Sequence, residues 1–344
     1  MTSEDTLKKA KLLEIGEIFI PKEIDMPCFA SRSTAGPDAG FGSHAFEFGA
    51  ARVKLGVTKD QGARLRLKQI DGSFSIYLDG DRYIEQARIL PLAAHAPNQA
   101  FVNLSGECRM GCAFCSMPAP SGKPQPSLSA ERAMRIISIS SRQKEFEAVA
   151  MTSGIPESVS RTNGEMLELV REVRRQFARI PIGVETYIED LGDILKFRHA
   201  GATEMKINVE AWPEERFGKV CPNRDFGSTI AALEKAVEIF GRGKVTSNIL
   251  AGLGETDDEI IEALNHLAGM GVIPNVRGIR IGAANAPKLE KALGFVPERV
   301  KAERLLALGK EHRRILEMNG LDASKFDTMC FSCKCCDIVP MIDV

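Results

Sequence analysis

The stretch Ala100-Phe101-Val102-Asn103-Leu104-Ser105-Gly106-Glu107-Cys108-Arg109-Met110-Gly111-Cys112-Ala113-Phe114-Cys115 decides the reading of this chain. A short apolar run, 100–104, reads as a buried strand and feeds at once into a loop with cysteines at a C-x3-C-x2-C spacing. Iron–sulfur clusters are held by cysteine thiolates, and three thiolates so close on irregular backbone can take three corners of a 4Fe-4S cube. The fourth iron then has no protein ligand and stays open to a substrate or cofactor. Gly111 lets the backbone turn closely around such a cube, and Phe114 shields it. The competing reading is a zinc loop completed by a distant ligand, or a set of buried thiols.

Working outward, short apolar runs alternate with amphipathic stretches from about residue 98, the pattern of βα units and a parallel sheet. Strands are predicted at 100–104, 148–152, 182–187, 204–209, 244–251 and 278–281, and helices at 129–141, 164–178, 191–199, 226–240, 257–270 and 297–319. The fold class is therefore α/β, a partial (β/α)6 TIM-like barrel over residues 98–286. In such barrels the chemistry sits on loops at the C-terminal ends of the strands. Residues 1–97 form an N-terminal extension: a helix-like start, a glycine-rich loop at 31–42, and a small antiparallel β-sheet from 52–57, 64–69 and 74–78. Residues 287–344 carry the last helix and a cysteine-rich tail.

The chain has 344 residues, with 45 basic and 46 acidic side chains, so its charge gives no reason to expect nucleic acid or a membrane surface as partner. Its charged N-terminus lacks the apolar core of a signal peptide, no apolar run approaches a membrane span, and the predicted location is cytoplasmic. Nine cysteines without an export signal point to metal or redox chemistry rather than disulfides. Cys330, Cys333, Cys335 and Cys336 form a second cluster, readable as an auxiliary iron–sulfur site, a zinc site or reducible thiols. Adjacent Cys335 and Cys336 cannot easily both face one metal from regular backbone. Cys28 and Cys221 stand alone. The histidines, at 44, 95, 199, 266 and 312, are scattered and read as surface or helix-end residues, and Trp212 reads as packing at the barrel rim.

With the triad and the barrel in view, residues 98–285 resemble the radical S-adenosylmethionine (radical SAM) superfamily, in its biotin and lipoyl synthase branch. The resemblance implies that the open iron chelates S-adenosylmethionine, and that an electron from the cluster breaks its C–S bond to release a 5′-deoxyadenosyl radical. Thr152-Ser153-Gly154 stands where the family often has a segment whose carbonyls hold the cofactor's amino group; the acidic residue usual there is missing, although Glu157 is near. Asn208 and Glu210 resemble the Asn-x-Glu that meets the ribose in lipoyl and biotin synthases. Asn248, Gly252, Gly254 and Glu255 resemble the segment that contacts the adenine. Cys221 stands where lipoyl synthases often carry arginine, and Arg224 is the candidate to replace it at the cofactor's carboxylate.

The resemblance also implies an activity: hydrogen abstraction from an unactivated C–H bond followed by sulfur insertion, as in lipoyl synthesis. The substrate would be a small molecule or an acyl chain on a carrier protein or peptide, and an auxiliary cluster would donate sulfur. The family implies an electron donor such as ferredoxin or flavodoxin. Similarity to biotin-synthase-related proteins of two-component lipoyl synthases implies a partner radical SAM protein. A minority reading has the two termini meet over the barrel mouth, with Cys28 or Ser33 completing the tail site. The alternative activity is rearrangement, C–C cleavage or C–C formation on an amino-acid-like substrate with structural tail cysteines. A non-catalytic metal scaffold is the remaining class.

Overall fold

The computed structural model describes residues 3–32, 36, 42–92, 95–119 and 127–344. Helix α1 (Glu4–Ile15) precedes strands β1 (Glu17–Phe19), β2 (Ser31–Arg32), β3 (Gly42–Phe48), β4 (Ala51–Thr58), β5 (Leu65–Ile70), β6 (Ser73–Leu78) and β7 (Asp81–Leu90). These strands run in the order β2-β3-β4-β1-β5-β6-β7, and β3 also pairs with β7, so all but β2 close into a barrel. Closure removes the exposed edges that a small open sheet would carry. Leu12 of α1 joins Ile18, Phe46, Val53, Leu65, Leu67 and Ile76 in its core.

The small antiparallel sheet expected from 52–57, 64–69 and 74–78 is thus part of a larger object, in which β1 runs parallel to both β4 and β5. Strand β7 hides in the sequence because its pairing with β6 is irregular and Glu85 and Gln86 face outward. Most of the glycine-rich loop, Ser33 included, lies outside the described residues.

Strands β8 (Gln99–Asn103), β9 (Ala148–Thr152), β10 (Ile182–Glu185), β11 (Glu204–Lys206), β12 (Val245–Ala251) and β13 (Ile273–Gly278) follow, each parallel to the next in a six-stranded sheet. The helices are α2 (Ala130–Ser140), α3 (Val159–Gln176), α4 (Gly192–Ala200), α5 (Glu214–Val220), α6 (Phe226–Phe240), α7 (Asp257–Met270), α8 (Ala286–Leu293), α9 (Ala302–Met318) and α10 (Met329–Cys333). The α/β partial barrel is the predicted fold. Strands β9 and β12 are buried at every position, as continuous apolar strands of a covered parallel sheet should be. Helix α6 starts where Asp225 accepts the Ser228 N–H, and α7 where Thr256 and Glu259 form a capping box.

The last strand departs from expectation, lying at Ile273–Gly278 rather than 278–281. Pro274 and Asn275 read as turn formers, but β13 is an outer strand, where a missing N–H is tolerated. The histidine expectation also fails in part. His312 on α9 and His44 on β3 are buried, and burial pushes His312 down to about 3. Among the described residues no helix is long and apolar enough to cross a membrane.

Candidate functional site

The triad loop is built by backbone contact with the end of β9. Gly154 N–H donates to Ser105 O, Arg109 N–H to Ile155 O, and Cys108 N–H to Pro118 O. These segments approach so closely that a Cβ at Gly154 would lie 2.1 Å from the carbonyl oxygen of Glu107. Glycine is therefore required by packing at this position, whatever else its backbone holds. Glu157 points away into an exposed pair with Arg161, while its carbonyl accepts from Arg109.

Cys108, Cys112 and Cys115 line a cavity of about 490 Å³ inside the barrel, with Thr152, Ser153, Gly154, Asn208, Glu210, Arg224 and Asn248 around them. Burial raises the thiols of Cys108 and Cys115, the latter to about 12. Cys221 does not stand alone. It is fully buried, packs in the same apolar cluster as Cys112, and lies 3.9 Å from Arg224 Nη1. Arg224 also donates to the Asn208 carbonyl and stacks over Tyr187 and Phe217.

Glu210 has φ +68°, a conformation that side chains other than glycine rarely adopt. Its backbone is held there by exchange with Asn248 and Leu250. One carboxylate oxygen of Glu210 and Nε of Arg224 are buried without a partner, and burial pushes the Glu210 carboxyl up. Orphaned donors and acceptors beside three cavity-facing thiols fit a bound group with amino, carboxylate and hydroxyl functions, as S-adenosylmethionine has.

Gly252, Gly254 and Glu255 are arranged differently. Both oxygens of the Glu255 carboxylate accept N–H groups, from Gly252 at 2.7 Å and Leu253 at 2.6 Å, and the carboxylate pairs with Arg304. A Cβ at Gly252, where φ is +103°, would meet Ile279 at 2.8 Å and Val300 at 3.0 Å. The glycines shape a turn against the C-terminal segment, and none of the three residues is among the described lining of the cavity.

The tail reaches the same cavity from the other end of the strands. At the start of β8, Gln99 exchanges hydrogen bonds with both backbone groups of Met329, and Thr328 donates to Glu204 at the start of β11. Cys330, Cys333 and Cys336 face the cavity. Cys335 turns back, its Sγ 3.1 Å from the Cys333 carbonyl, which resolves the crowding of adjacent cysteines. Hydrogen bonding with Cys335 and burial raise the Cys333 thiol. Cys28 is not brought to this group; its Sγ contacts Leu90 O at 3.7 Å and His44 Nδ1 at 4.0 Å on the N-terminal barrel. Gly36 of the N-terminal extension does reach the triad side, where its carbonyl accepts the Ser116 N–H, while Ser33 lies outside the described residues.

A closed ring of polar groups joins the two ends. Asn208 donates to Glu185 at 2.8 Å, Glu185 pairs with Lys206 at 3.2 Å, and Lys206 lies 3.9 Å from Cys330 Sγ. Arg277 donates to Cys330 Sγ at 3.0 Å and to Asp337 at 2.7 Å. Asn275 donates to Asp337 at 3.0 Å and to Asn248 at 3.1 Å, and the Asn248 N–H donates to Asn208 at 3.0 Å. Burial pushes the Cys330 thiol up, while Arg277 and Lys206 oppose it. Burial works against charge on Glu185 and Asp337 too, but Lys206 and Arg277 outweigh it and hold both carboxyls low.

The sequence reading missed Arg277, Asp337 and Asn275 as site residues. A signal existed: Asn275 and Arg277 are two apart in an otherwise apolar strand, hence on one face of it. Lys54 and His95, 3.1 Å apart, also line the cavity and were not singled out. Trp212 packs between Phe226 and His266, as expected. Among the described residues, no three Cys, His, Asp or Glu side chains converge on a point that could hold a single metal ion.

A sequence model of the radical SAM superfamily matches residues 102–267, the segment that carries the triad and most of the barrel. This chain carries a radical SAM domain. Membership implies a 4Fe-4S cluster that binds S-adenosylmethionine, and Cys108, Cys112 and Cys115 are the thiols suited to hold it. The radical SAM chain is 25% identical over 182 residues to lipoyl synthase of Oleidesulfovibrio alaskensis, covering 50% of this chain and 57% of that protein. It is 26% identical over 176 residues to biotin synthase 2 of Paracoccus denitrificans, covering 49% and 52%. The chain thus spans little more than half the length of these relatives. Among solved structures, methylornithine synthase aligns with a TM-score of 0.54 at 19% identity, over 65% of this chain and 63% of that one. The FeFe-hydrogenase maturase HydG aligns with a TM-score of 0.51 at 16% identity, over 65% and 51%. Both likenesses concern the fold.

Proposed function

We propose that this radical SAM enzyme removes hydrogen from an unactivated C–H bond and inserts sulfur there, as a lipoyl synthase-like enzyme acting on an octanoyl chain borne by a carrier protein or peptide. One observation carries the reading: the triad and the tail thiols of Cys330, Cys333 and Cys336 line a single cavity. A substrate carbon inside it lies between two groups of metal-binding thiols. The similarity to lipoyl and biotin synthases supports the same direction. When bound, the 4Fe-4S cluster and S-adenosylmethionine supply a 5′-deoxyadenosyl radical, and an auxiliary iron–sulfur group on the tail supplies sulfur.

The chain's own residues have separable roles in this reading. Glu210 and Arg224 orient polar groups of the cofactor. Asn208 and Asn248, tied into the polar ring, keep the wall between the two ends fixed. Phe101, Met110, Phe114, Met117 and Leu250 give the cavity apolar surface that excludes water from the reacting carbon. Lys206 and Arg277 offset the burial of Cys330, which must lose its proton to bind metal. A ferredoxin or flavodoxin delivers electrons, and a partner radical SAM protein completes the reaction.

The decisive experiment loads the protein anaerobically with iron and sulfide, then supplies S-adenosylmethionine, reductant and an octanoyl-lysine peptide. Formation of 5′-deoxyadenosine with a peptide heavier by sulfur is expected. Zinc on the tail, or 5′-deoxyadenosine with no sulfur-bearing product, contradicts the proposal. A second reading draws on the positive groups Lys54, Lys206, Arg277 and Arg280 along the cavity wall. They suit an amino-acid-like substrate taken through rearrangement, C–C cleavage or C–C formation, and retained turnover after Cys333→Ala and Cys335→Ala substitution favours it.

A further inference from the structure

Lys9 on α1 has no part in the cavity, yet it is completely buried. Lysine is almost never fully buried unless paired, so its partners explain why it is there. Nζ donates to Asp343 Oδ2 at 2.6 Å and to the carbonyl of Lys334 at 2.8 Å. Lys334 lies between Cys333 and Cys335 with φ +61°, the left-handed turn that reverses the chain inside the cysteine motif. The next carbonyl, that of Cys335, accepts the Lys54 N–H from β4 at 2.8 Å. Thr6 of α1 closes the arrangement by donating to Asp343 O at 2.7 Å, and Asp343 Oδ2 accepts the Val339 N–H at 2.7 Å.

Two successive carbonyls in the middle of the cysteine motif are therefore held by groups from the N-terminal elements. None of these ties comes from residues 102–267, the radical SAM segment. Side chains fix a turn most strongly when they hold its carbonyls from buried, charged donors, because such hydrogen bonds are shorter and stronger than neutral ones.

We infer that Lys9 is a positioning residue for the tail cysteines, and that α1 with the N-terminal barrel is the scaffold presenting Cys333 and Cys336 to the cavity. The inference rests on the proposed reading in which those cysteines hold metal. It gives the N-terminal barrel a role, which is to separate assembly of the second site from that of the radical-forming site. Outer-shell groups that orient ligands commonly matter about as much to metal retention as a tenfold to hundredfold change in affinity.

The experiment compares the full-length wild type with Lys9→Met and with Lys9→Met/Asp343→Leu. The double variant removes both charges, leaves no unpaired ion in the interior, and so retains its fold while freeing the Lys334 carbonyl. In the metal-free proteins, iodoacetamide labelling is followed cysteine by cysteine. Cys333 and Cys336 should label roughly tenfold faster or more in both variants, with Cys112 unchanged. After anaerobic loading, the variants should keep the triad's cluster and 5′-deoxyadenosine formation but lose the tail's iron and sulfide. Equal acceleration at Cys112, or tail thiols as protected as in the wild type, overturns the inference. If the wild type itself loads one cluster while labelling still rises at the tail alone, the metal reading fails and the positioning of the thiols by Lys9 stands.

Discussion

The two cysteine groups end in one cavity, but they arrive there by different means. The triad sits on a loop tied to the adjacent strand end at Gly154 and Ile155 and to Pro118 just beyond it, and steadied from farther along the chain by Val220, Asn285 and Lys288. The tail is held by Gln99 and Lys9, more than 200 residues away, and by Glu204 and Arg277 of the barrel strands. The first site is readable because its cysteine spacing alone matches the pattern of a cluster-binding loop. The second is a product of tertiary structure, and its cysteines acquire different roles, with Cys335 turned back and Cys330 drawn to Arg277 and Lys206.

The contrast is broken most severely by single cysteine changes. Cys112→Ala should lower 5′-deoxyadenosine formation by about a thousandfold or more, roughly 4 kcal/mol at the barrier, measured under reducing conditions with S-adenosylmethionine. Cys333→Ala should leave that reaction within about threefold, a change of less than about 1 kcal/mol, while abolishing sulfur-bearing product. Equal losses in the two variants would mean that the ends of the cavity do not act separately.

On the stability side, Arg277→Met strands the Asp337 carboxylate, which is 1% exposed, and should cost about 3 kcal/mol in urea unfolding. Gly154→Val forces a side chain against the Glu107 carbonyl. Overpacking of that kind costs about 2 kcal/mol, and here it should appear as loss of the triad's iron with the tail's iron intact.

A separate effect, spread over several pH units, is one of protonation. His312 lies against Pro274, next to Asn275 of the polar ring, and burial holds it near 3 against an ordinary 6.5. The folded protein therefore binds fewer protons than the unfolded chain between those values. The stability contributed by the neutral ring is complete above pH 6.5 and falls as pH drops toward 3, by up to about 1.4 kcal/mol per unit. His312→Leu should flatten the acid limb of a stability profile measured by thermal or urea unfolding, and an unchanged limb would show that another group governs it.

Much of the radical SAM barrel was legible because its strands are unbroken apolar runs and its helices begin at residues such as Asp225 and Thr256, whose side chains cap them. Strand β13 was not, since Pro274 and Asn275 carry turn chemistry that an outer strand and a buried polar partner override. The triad could be read because its spacing is a recognisable cluster-binding pattern, although Asn285 and Lys288 that steady its loop could not be. The ring through Glu185, Arg277 and Asp337 could not, because each member is an ordinary polar residue until the fold brings its partners within 3.2 Å. Cys221 is the same lesson in miniature, isolated in sequence and packed with Cys112 and Arg224 in space.

The most direct measurement of the central claim is the iron and sulfide content, with the spectrum of the reduced state, of a variant lacking Cys108, Cys112 and Cys115 after anaerobic loading. Two separate metal-binding ends of one cavity require that this variant still hold a cluster on the tail while making no 5′-deoxyadenosine. A variant that holds no iron, in a chain whose unfolding midpoint is unchanged, would contradict it.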